Sequence, residues 1–546
     1  MQSLSLVVQQ SNRFFQKFYG QLIFLFVGFA FCRVLCNAVF FEGFLSTFST
    51  INAHFPSLGK LSLFTHDPFH SSSIIFSSLL QPVFFISLLL LYIPFFIKRK
   101  SLREIFSSLP AYERLIPCVC ALLLAWELTT YDYNYYLDHA FYFDRFLLIA
   151  MAVALFRFPI LTPFFIAAAY VYRAQFNYPI EGFPLFDKRV LFDVLEMYCI
   201  YLYAKLFLKN FSIAFLFPVL CIVGANYFMS AVGKMLISPN GYQWLTQNDV
   251  SDLFANVHLR GWIKNDSTFE MMYAFIHKFG SLFQVLTFIL EFAGLFFIRN
   301  RKLTIAFLCS LCLMHIGIFI FGSMLFWKWM ALDILLAFVL IRYGENIPQD
   351  LFTKKYFRAS IVFILLSAFW LKPFEIAWWD TKTTQFYRYE VVDDKGALYS
   401  VDKNEMNPYH QWFAYDHFGF LVKRLICPLT GFGYVNSYMI KQELDTCKND
   451  SFCVYMRAMR YMYDEREKNK FDGFIKTYFS NRNKTGSCFM IYLSPPKHLY
   501  TSSPLPAYDG TQHVKTFRVY FVQARHIGTK SFVLRDEMID EISIDP

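Results

Sequence analysis

The chain is dominated by apolar runs of membrane-spanning length, separated by short basic clusters. A helix that crosses a bilayer needs about 20 mostly apolar residues, and lipid offers its backbone no other partners. Eleven runs approach this description, at 19–41, 73–97, 115–133, 141–157, 159–174, 190–208, 211–236, 272–298, 303–322, 324–342 and 358–378. The fourth and fifth are short and split by Arg157-Phe158-Pro159, and the ninth and tenth are hinged at Gly322-Ser323. Composition agrees: 56% of the 546 residues are hydrophobic and only 17% charged, which a soluble globular chain rarely shows. The first run is too long for a signal-peptide core and lacks an A-x-A cleavage site, so it reads as a first span.

The basic residues give an orientation. With Arg13 and Lys17 inside, counting spans puts Lys98-Arg99-Lys100, Arg157, Lys209, the Arg299–Lys302 cluster and Lys354-Lys355 inside as well. All follow the positive-inside tendency. The same clustering explains the net charge of +10 without nucleic acid, which is not expected as a partner. The expected fold is mainly α: a polytopic transmembrane helix bundle of about 9–11 spans over residues 1–379, then an extracytoplasmic α+β domain over 380–546. The partner is the lipid bilayer. Localisation follows as integral and multi-pass, in a bacterial inner membrane or, in a eukaryote, the endoplasmic reticulum.

From Asp380 onward the pattern changes. "FYRYEVVDDKGALYSV" reads as a hairpin turning at Asp393-Asp394-Lys395-Gly396. "FMIYLS" and "KTFRVYFVQARHI" read as strands, and "DTCKNDSFCVYMRAMRYMYDEREK" leads into a helix. Four of the twelve cysteines lie here: Cys427, Cys447, Cys453 and Cys488. An even number outside the membrane permits disulfides, and Cys447–Cys453 is the expected pair. No CxxC spacing occurs in the tail, so no metal is expected. Asn449 and Asn483 open glycosylation sequons.

Ionisable residues inside spans are functional candidates. Lys234, in "NYFMSAVGKMLISPNGYQW", closes the seventh run, and His139, in "NYYLDHAFYFDRF", opens the fourth. His315 lies about twelve residues, or roughly 18 Å, into the ninth run, and Glu127 lies at a similar outward depth in the third. Four spans thus bring ionisable groups to one leaflet level. Each also has a structural reading: Lys234 as a snorkelling anchor, His139 as an interfacial residue, His315 as a packed histidine, Glu127 as a helix-to-helix bond. Glu291 reads as an ion-pairing acid beside the Arg299 cluster, Glu196 and Asp333 have no assigned partner, and Trp327, Trp329, Trp378 and Trp379 read as an interfacial belt. No P-loop, GxGxxG, HExxH or Gly-x-Ser-x-Gly occurs, which leaves nucleotide hydrolysis and the standard serine and zinc hydrolases without support.

"YFMSAVGKM" resembles the segment of vitamin K-dependent gamma-glutamyl carboxylase and its HTTM-domain relatives that carries the catalytic lysine. "ILEFAGLFFIRNRKLTIAFLCSLCLMHIGIFIFGSMLFWKW" resembles that family's next two spans, and "DHAFYFDRFLLI" its His-containing start of an earlier span. The likeness runs from about Arg13 to Arg342. It departs at Gly233, where the family has a second lysine, at Leu137-Asp138 in place of paired asparagines, and at Trp244–Gln247. The resemblance implies that Lys234 is the base that deprotonates a quinol, with His139 and His315 beside it; Glu127 is a supporting candidate on its depth in the third run alone. It implies as cofactor a reduced quinone like vitamin K hydroquinone, used with O2 and CO2, and as partner a secreted peptide or protein carboxylated at glutamate. The reaction class would be that of a carbon–carbon lyase. A non-catalytic membrane protein for export, maturation or immunity, or a transporter, is the second class the sequence leaves open.

Overall fold

The structure is a computed structural model. It describes residues 17–43, 82–130, 133–134, 139–140, 142–175, 189–208, 210–258, 265–373, 376–402, 418–427, 429–446, 459–485 and 503–544, with single residues 263, 405, 413 and 416. The helical part comprises α1 (Phe18–Cys36), α2 (Pro82–Ile97), α3 (Ala111–Thr130), α4 (Tyr142–Ala154), α5 (Thr162–Gln175), α6 (Arg189–Phe207), α7 (Leu216–Leu236), α8 (Val250–His258), α9 (Asp266–Phe292), α10 (Arg301–Gly322), α11 (Trp327–Arg342) and α12 (Lys354–Leu365). Every apolar run of the sequence therefore contains a helix. Among the described residues, four helical stretches are long and apolar enough to cross a membrane: Phe18–Phe41, Leu216–Leu236, Asp266–Leu295 and Arg301–Gly322. A fifth counts if Pro82–Ile97 and Arg99–Ser108, bent by 65°, form one span.

Local chemistry sets the boundaries around the later helices. Asn265 caps α9, its side chain accepting from the Thr268 N–H at 2.9 Å, and Asn300 caps α10 from the Leu303 N–H at 2.8 Å. The expected hinge after α10 is present: Ser323 takes a left-handed conformation with φ 52°, which ends the helix. α7 is the central rod, buried almost throughout. It meets the irregular segment after α9 backbone to backbone, because Gly224 and Gly294 face each other. A Cβ on Gly224 would lie 2.6 Å from the Gly294 carbonyl oxygen.

The C-terminal part carries β4 (Thr383–Asp393), β5 (Leu398–Val401), β9 (Val514–Ile527) and β10 (Lys530–Ser543) in one antiparallel sheet ordered β10-β9-β4-β5. The β4–β5 hairpin turns where the sequence places it, and Gly396 takes φ 82° there. Alternation puts Phe517, Val519 and Phe521 of β9 on one face, beside their cross-strand partners Val391, Tyr389 and Tyr387 of β4. Helix α14 (Glu465–Thr485; α13 is Tyr438–Thr446) lays Phe471, Phe474, Ile475 and Tyr478 on that face, closing a core separate from the helical one. The expected strand "KTFRVYFVQARHI" is β9, whereas "FMIYLS", Cys447, Cys453 and Cys488 lie outside the described residues. Among the described cysteines Cys427 is buried and free.

The two parts are joined near the end of α7. Short strand β3 (Trp379–Asp380) pairs with β7 (Tyr434–Val435). The Trp244 indole N–H donates to the Trp378 carbonyl at 2.8 Å, and the Asn256 amide donates to the Thr381 carbonyl at 2.6 Å. Trp379 is fully buried and Trp329 is packed inside the helical core, so these two are interior residues rather than belt residues. The Trp379 indole N–H donates to the Ile237 carbonyl at 3.4 Å, and the Trp329 ring packs edge-on against Tyr227, 5.6 Å between centroids.

Candidate functional site

α7 carries Tyr227, Ser230 and Lys234 three and four residues apart, which places them on one face of the helix. That face looks into a cavity of about 440 Å³ bounded by α7, α9, α10, the start of α11 and the strap 376–380. The volume falls in the range of small-molecule sites, about 300–1,000 Å³. Its walls are mostly apolar. Lys234, Glu291, His315 and Asp380 are the ionisable groups that line it.

Lys234 is buried, and its Nζ donates to both Glu291 carboxylate oxygens, at 2.8 and 2.7 Å, and to the Ile376 carbonyl at 3.2 Å. The Trp244 ring lies 5.1 Å from the ammonium. Glu291 is thus the counter-ion of Lys234 and not of the Arg299 cluster. The reason is geometric. A helical side chain leans toward its own N-terminus, so the Lys234 stem points back along α7 into the bundle. Glu291 sits beside Phe292, whose ring lies 5.6 Å from that of Phe228 of α7, so α9 packs along the stretch of α7 toward which the lysine leans.

His315 lies on the opposite wall. Its Nε2 is 2.7 Å from the Tyr227 hydroxyl, which donates to Asp333 Oδ2 at 2.8 Å. With the Tyr227 proton given to Asp333, the His315 Nε2 must carry hydrogen and donate to the tyrosine oxygen. Nδ1 is left as the acceptor, and it has no partner among the described residues. Asp333 therefore has a partner after all, as does Glu196, which accepts from Tyr170 at 2.9 Å.

The other two site candidates are placed differently. Glu127 is buried and pairs with Lys328 of α11 at 3.2 Å, away from the cavity walls. It is a bond between helices. His139 belongs to the short β1–β2 ladder (Tyr133–Asn134, His139–Ala140), where its backbone stands opposite Asn134. Its side chain lies outside the described residues. The structure brings Lys234 and His315 to one cavity; it does not bring Glu127 there.

Several lining residues were not singled out in the sequence. Tyr227 and Asp380 are the clearest. Asp380 accepts from Asn248 at 2.7 Å and from the Trp378 indole at 3.0 Å, and burial pushes its carboxyl up to about 7. Tyr227 was visible as a polar residue one face-repeat before Lys234. Asp380 carried no such signal, since it reaches the cavity only through the strap. Among the described residues no group of three or more His, Cys, Asp and Glu side chains is placed to hold a metal ion.

Comparison of the chain with protein-family models, with curated proteins and with solved structures finds no match. The chemistry of the cavity must therefore carry the functional reading.

Proposed function

We propose that this chain is a multi-pass integral membrane protein of the HTTM type whose cavity takes a reduced quinone at the outer leaflet and uses it to modify glutamate in a secreted peptide. The observation that carries the reading is the Lys234–Glu291 pair set in an otherwise apolar chamber opposite His315. Two of the four helices apolar enough to cross a membrane, Asp266–Leu295 and Arg301–Gly322, flank the chamber, and a third, Leu216–Leu236, supplies the lysine. A lipid-soluble ring would fit walls built from Phe283, Phe326, Trp329 and Trp378.

The residues fit the first proton transfer. A proton can pass within the pair from Lys234 to Glu291, since 2.7 Å separates the atoms and the pair stays neutral overall. With a quinol bound, the free amine of Lys234 would be placed to take a proton from a hydroxyl, and as an ammonium it would offset the negative charge left there. His315 Nδ1 offers an acceptor to a second hydroxyl. A bound quinol would supply, with O2, the strong base that carboxylation of a peptide glutamate by CO2 requires.

A second reading rests on the third contact of Lys234. By bonding Glu291 on α9 and the Ile376 carbonyl on the strap, the lysine also ties three segments together, as a purely structural clamp in a non-catalytic export, maturation or immunity factor would. Lys234→Arg separates the two. Guanidinium keeps the charge and the pairing but does not deprotonate in proteins. Purified protein is assayed with reduced quinone, labelled bicarbonate and candidate peptides, with membrane insertion checked in parallel. Loss of about 10²–10⁴-fold in rate with normal insertion supports the base. Wild-type behaviour of the Arg variant leaves the clamp.

A further inference from the structure

The cavity wall holds a second polar point that the proton-transfer reading does not use. Gln284 of α9 is 4% exposed, lines the cavity, and has neither amide atom bonded among the described residues. A buried amide with no partner is costly to a fold, because both its donor and its acceptor have lost water. It is not alone. Two further wall residues, His315 on α10 and Trp329 on α11, leave Nδ1 and Nε1 without partners among the described residues. One such side chain is an ordinary defect; three helices each turning an unpartnered polar group toward a single cavity point to an occupant.

The cavity also opens sideways. Leu286 of α9 and Leu313 of α10 line it and yet are 51% and 69% exposed, so they stand at a mouth between these two helices. Gly317 of α10 lines the same side, and nothing lies within 4 Å of where its Cβ would be. The surface around this mouth is apolar, with Leu282, Ile289 and Ile316 exposed. Gln284 and Glu291 are seven residues apart on α9, which puts about 10 Å of helix axis between two polar points on one face.

We infer that Gln284 is a ligand-recognition residue: the cavity takes one lipid-soluble molecule whose flat body carries an oxygen function at each end, one set against Lys234–Glu291 and the other read by the Gln284 amide, with its apolar tail leaving between α9 and α10 past Gly317. This rests on the quinol reading of the same cavity and adds which side chain reads the second oxygen and where the tail leaves.

The test uses full-length protein in lipid nanodiscs and three probes: a naphthohydroquinone with one prenyl group, the same ring without the prenyl group, and a prenylated naphthol with a single oxygen. Gln284→Leu should bind the prenylated hydroquinone about tenfold more weakly, as expected for one or two hydrogen bonds in a buried site, and the naphthol nearly as wild type does. It should also unfold at the same or a higher temperature, since an unpartnered amide is gone. Gly317→Phe should lose the prenylated probes and keep the one without a tail. Equal hydroquinone affinity in wild type and Gln284→Leu, or a Gln284→Leu protein that is less stable, overturns the role of Gln284 and leaves the quinol reading intact. Equal loss of all probes in Gly317→Phe overturns the tail path. Failure of every probe to bind wild type overturns both this inference and the quinol reading.

Discussion

Removing one end of the Lys234–Glu291 pair should harm the fold more than removing both. The two side chains are each only 7% exposed and meet through contacts of 2.8 and 2.7 Å. At such a place a single charge has neither water nor a counter-charge. Breaking a buried pair costs about 3–5 kcal/mol, whereas exchanging both partners for apolar residues of similar volume is often neutral or stabilising by about 1–4 kcal/mol. Glu291→Leu comes close to the volume of the acid and Lys234→Met keeps the length of the stem. Lys234→Met also gives up the bond to the Ile376 carbonyl, a further loss of about 1 kcal/mol. Each single variant should therefore fall by about 3–5 kcal/mol, and Lys234→Met/Glu291→Leu by less than about 2 kcal/mol. With each single at least about 3 kcal/mol and the double below about 2, the coupling between the sites should exceed about 4 kcal/mol. The measurement is an unfolding titration in mixed micelles followed by tryptophan fluorescence, to which Trp244 beside the ammonium contributes. Single-variant losses that add to the double-variant loss within about 0.5 kcal/mol would show that the two groups do not act as a pair.

Gly224→Ala should lower stability by about 1–3 kcal/mol in the same titration, because the new methyl meets the Gly294 carbonyl at 2.6 Å; an unchanged midpoint would deny the close approach. Asp252 on α8 is pushed up to about 8, first by burial and then by the Asp249 carboxylate, from about 3.9 in a free chain, so the stability it carries is full at acid pH and lost as pH rises through about 8. His526 of β9, 3.5 Å away, is pushed down to about 4 by burial and adds a rising term only between about pH 4 and 6.5. Stability should thus fall from pH 7 to 8, and Asp252→Asn should flatten that fall; identical slopes in both proteins would contradict the assignment. A reporter fused after Pro546 should read as extracytoplasmic, and a cytoplasmic signal would overturn the span count. Mass mapping of non-reduced peptides should find Cys447 joined to Cys453; free thiols at both positions would end that pairing.

How much of this was legible in the sequence depended on whether a feature was local. The helices follow from apolar length, and the β4–β5 hairpin from alternation around Asp393–Gly396. Lys234 and His315 stood out because a charge or an imidazole in an apolar run has few neighbours to hide among. Their partners did not. Glu291 was read against the nearest basic cluster in sequence, but the direction in which a helical lysine leans and the antiparallel packing of α9 on α7 decided otherwise. Tyr227 and Gln284 each lie seven residues before a charged wall residue, at Lys234 and Glu291, so a seven-residue polar stripe in an apolar helix was the available signal. Trp329 and Trp379 were misplaced because an indole suits an interface and a packed interior equally well. Strand β10 gave no alternation to read, since its sequence is charged on both faces.

That charge has a consequence of its own. β10 is an outer strand of its sheet, and six of its fourteen residues are ionisable: Lys530, Arg535, Asp536, Glu537, Asp540 and Glu541. The ladder to β9 slips twice, at Val533/Arg535 and Met538/Asp540. Arg388, Arg424, Lys468 and Arg518 reach across to four of its carboxylates. A straight, uncharged border of free N–H and C=O groups would be a template on which the sheet of a neighbouring molecule could continue. Proteins confined to one membrane present such borders to one another at high local concentration and in a common orientation. The bulges break the straight row, and the charged side chains along the strand, already held by cations of their own molecule, make its continuation by another copy costly. Where such molecules share a bilayer, that border keeps their sheets from joining into one.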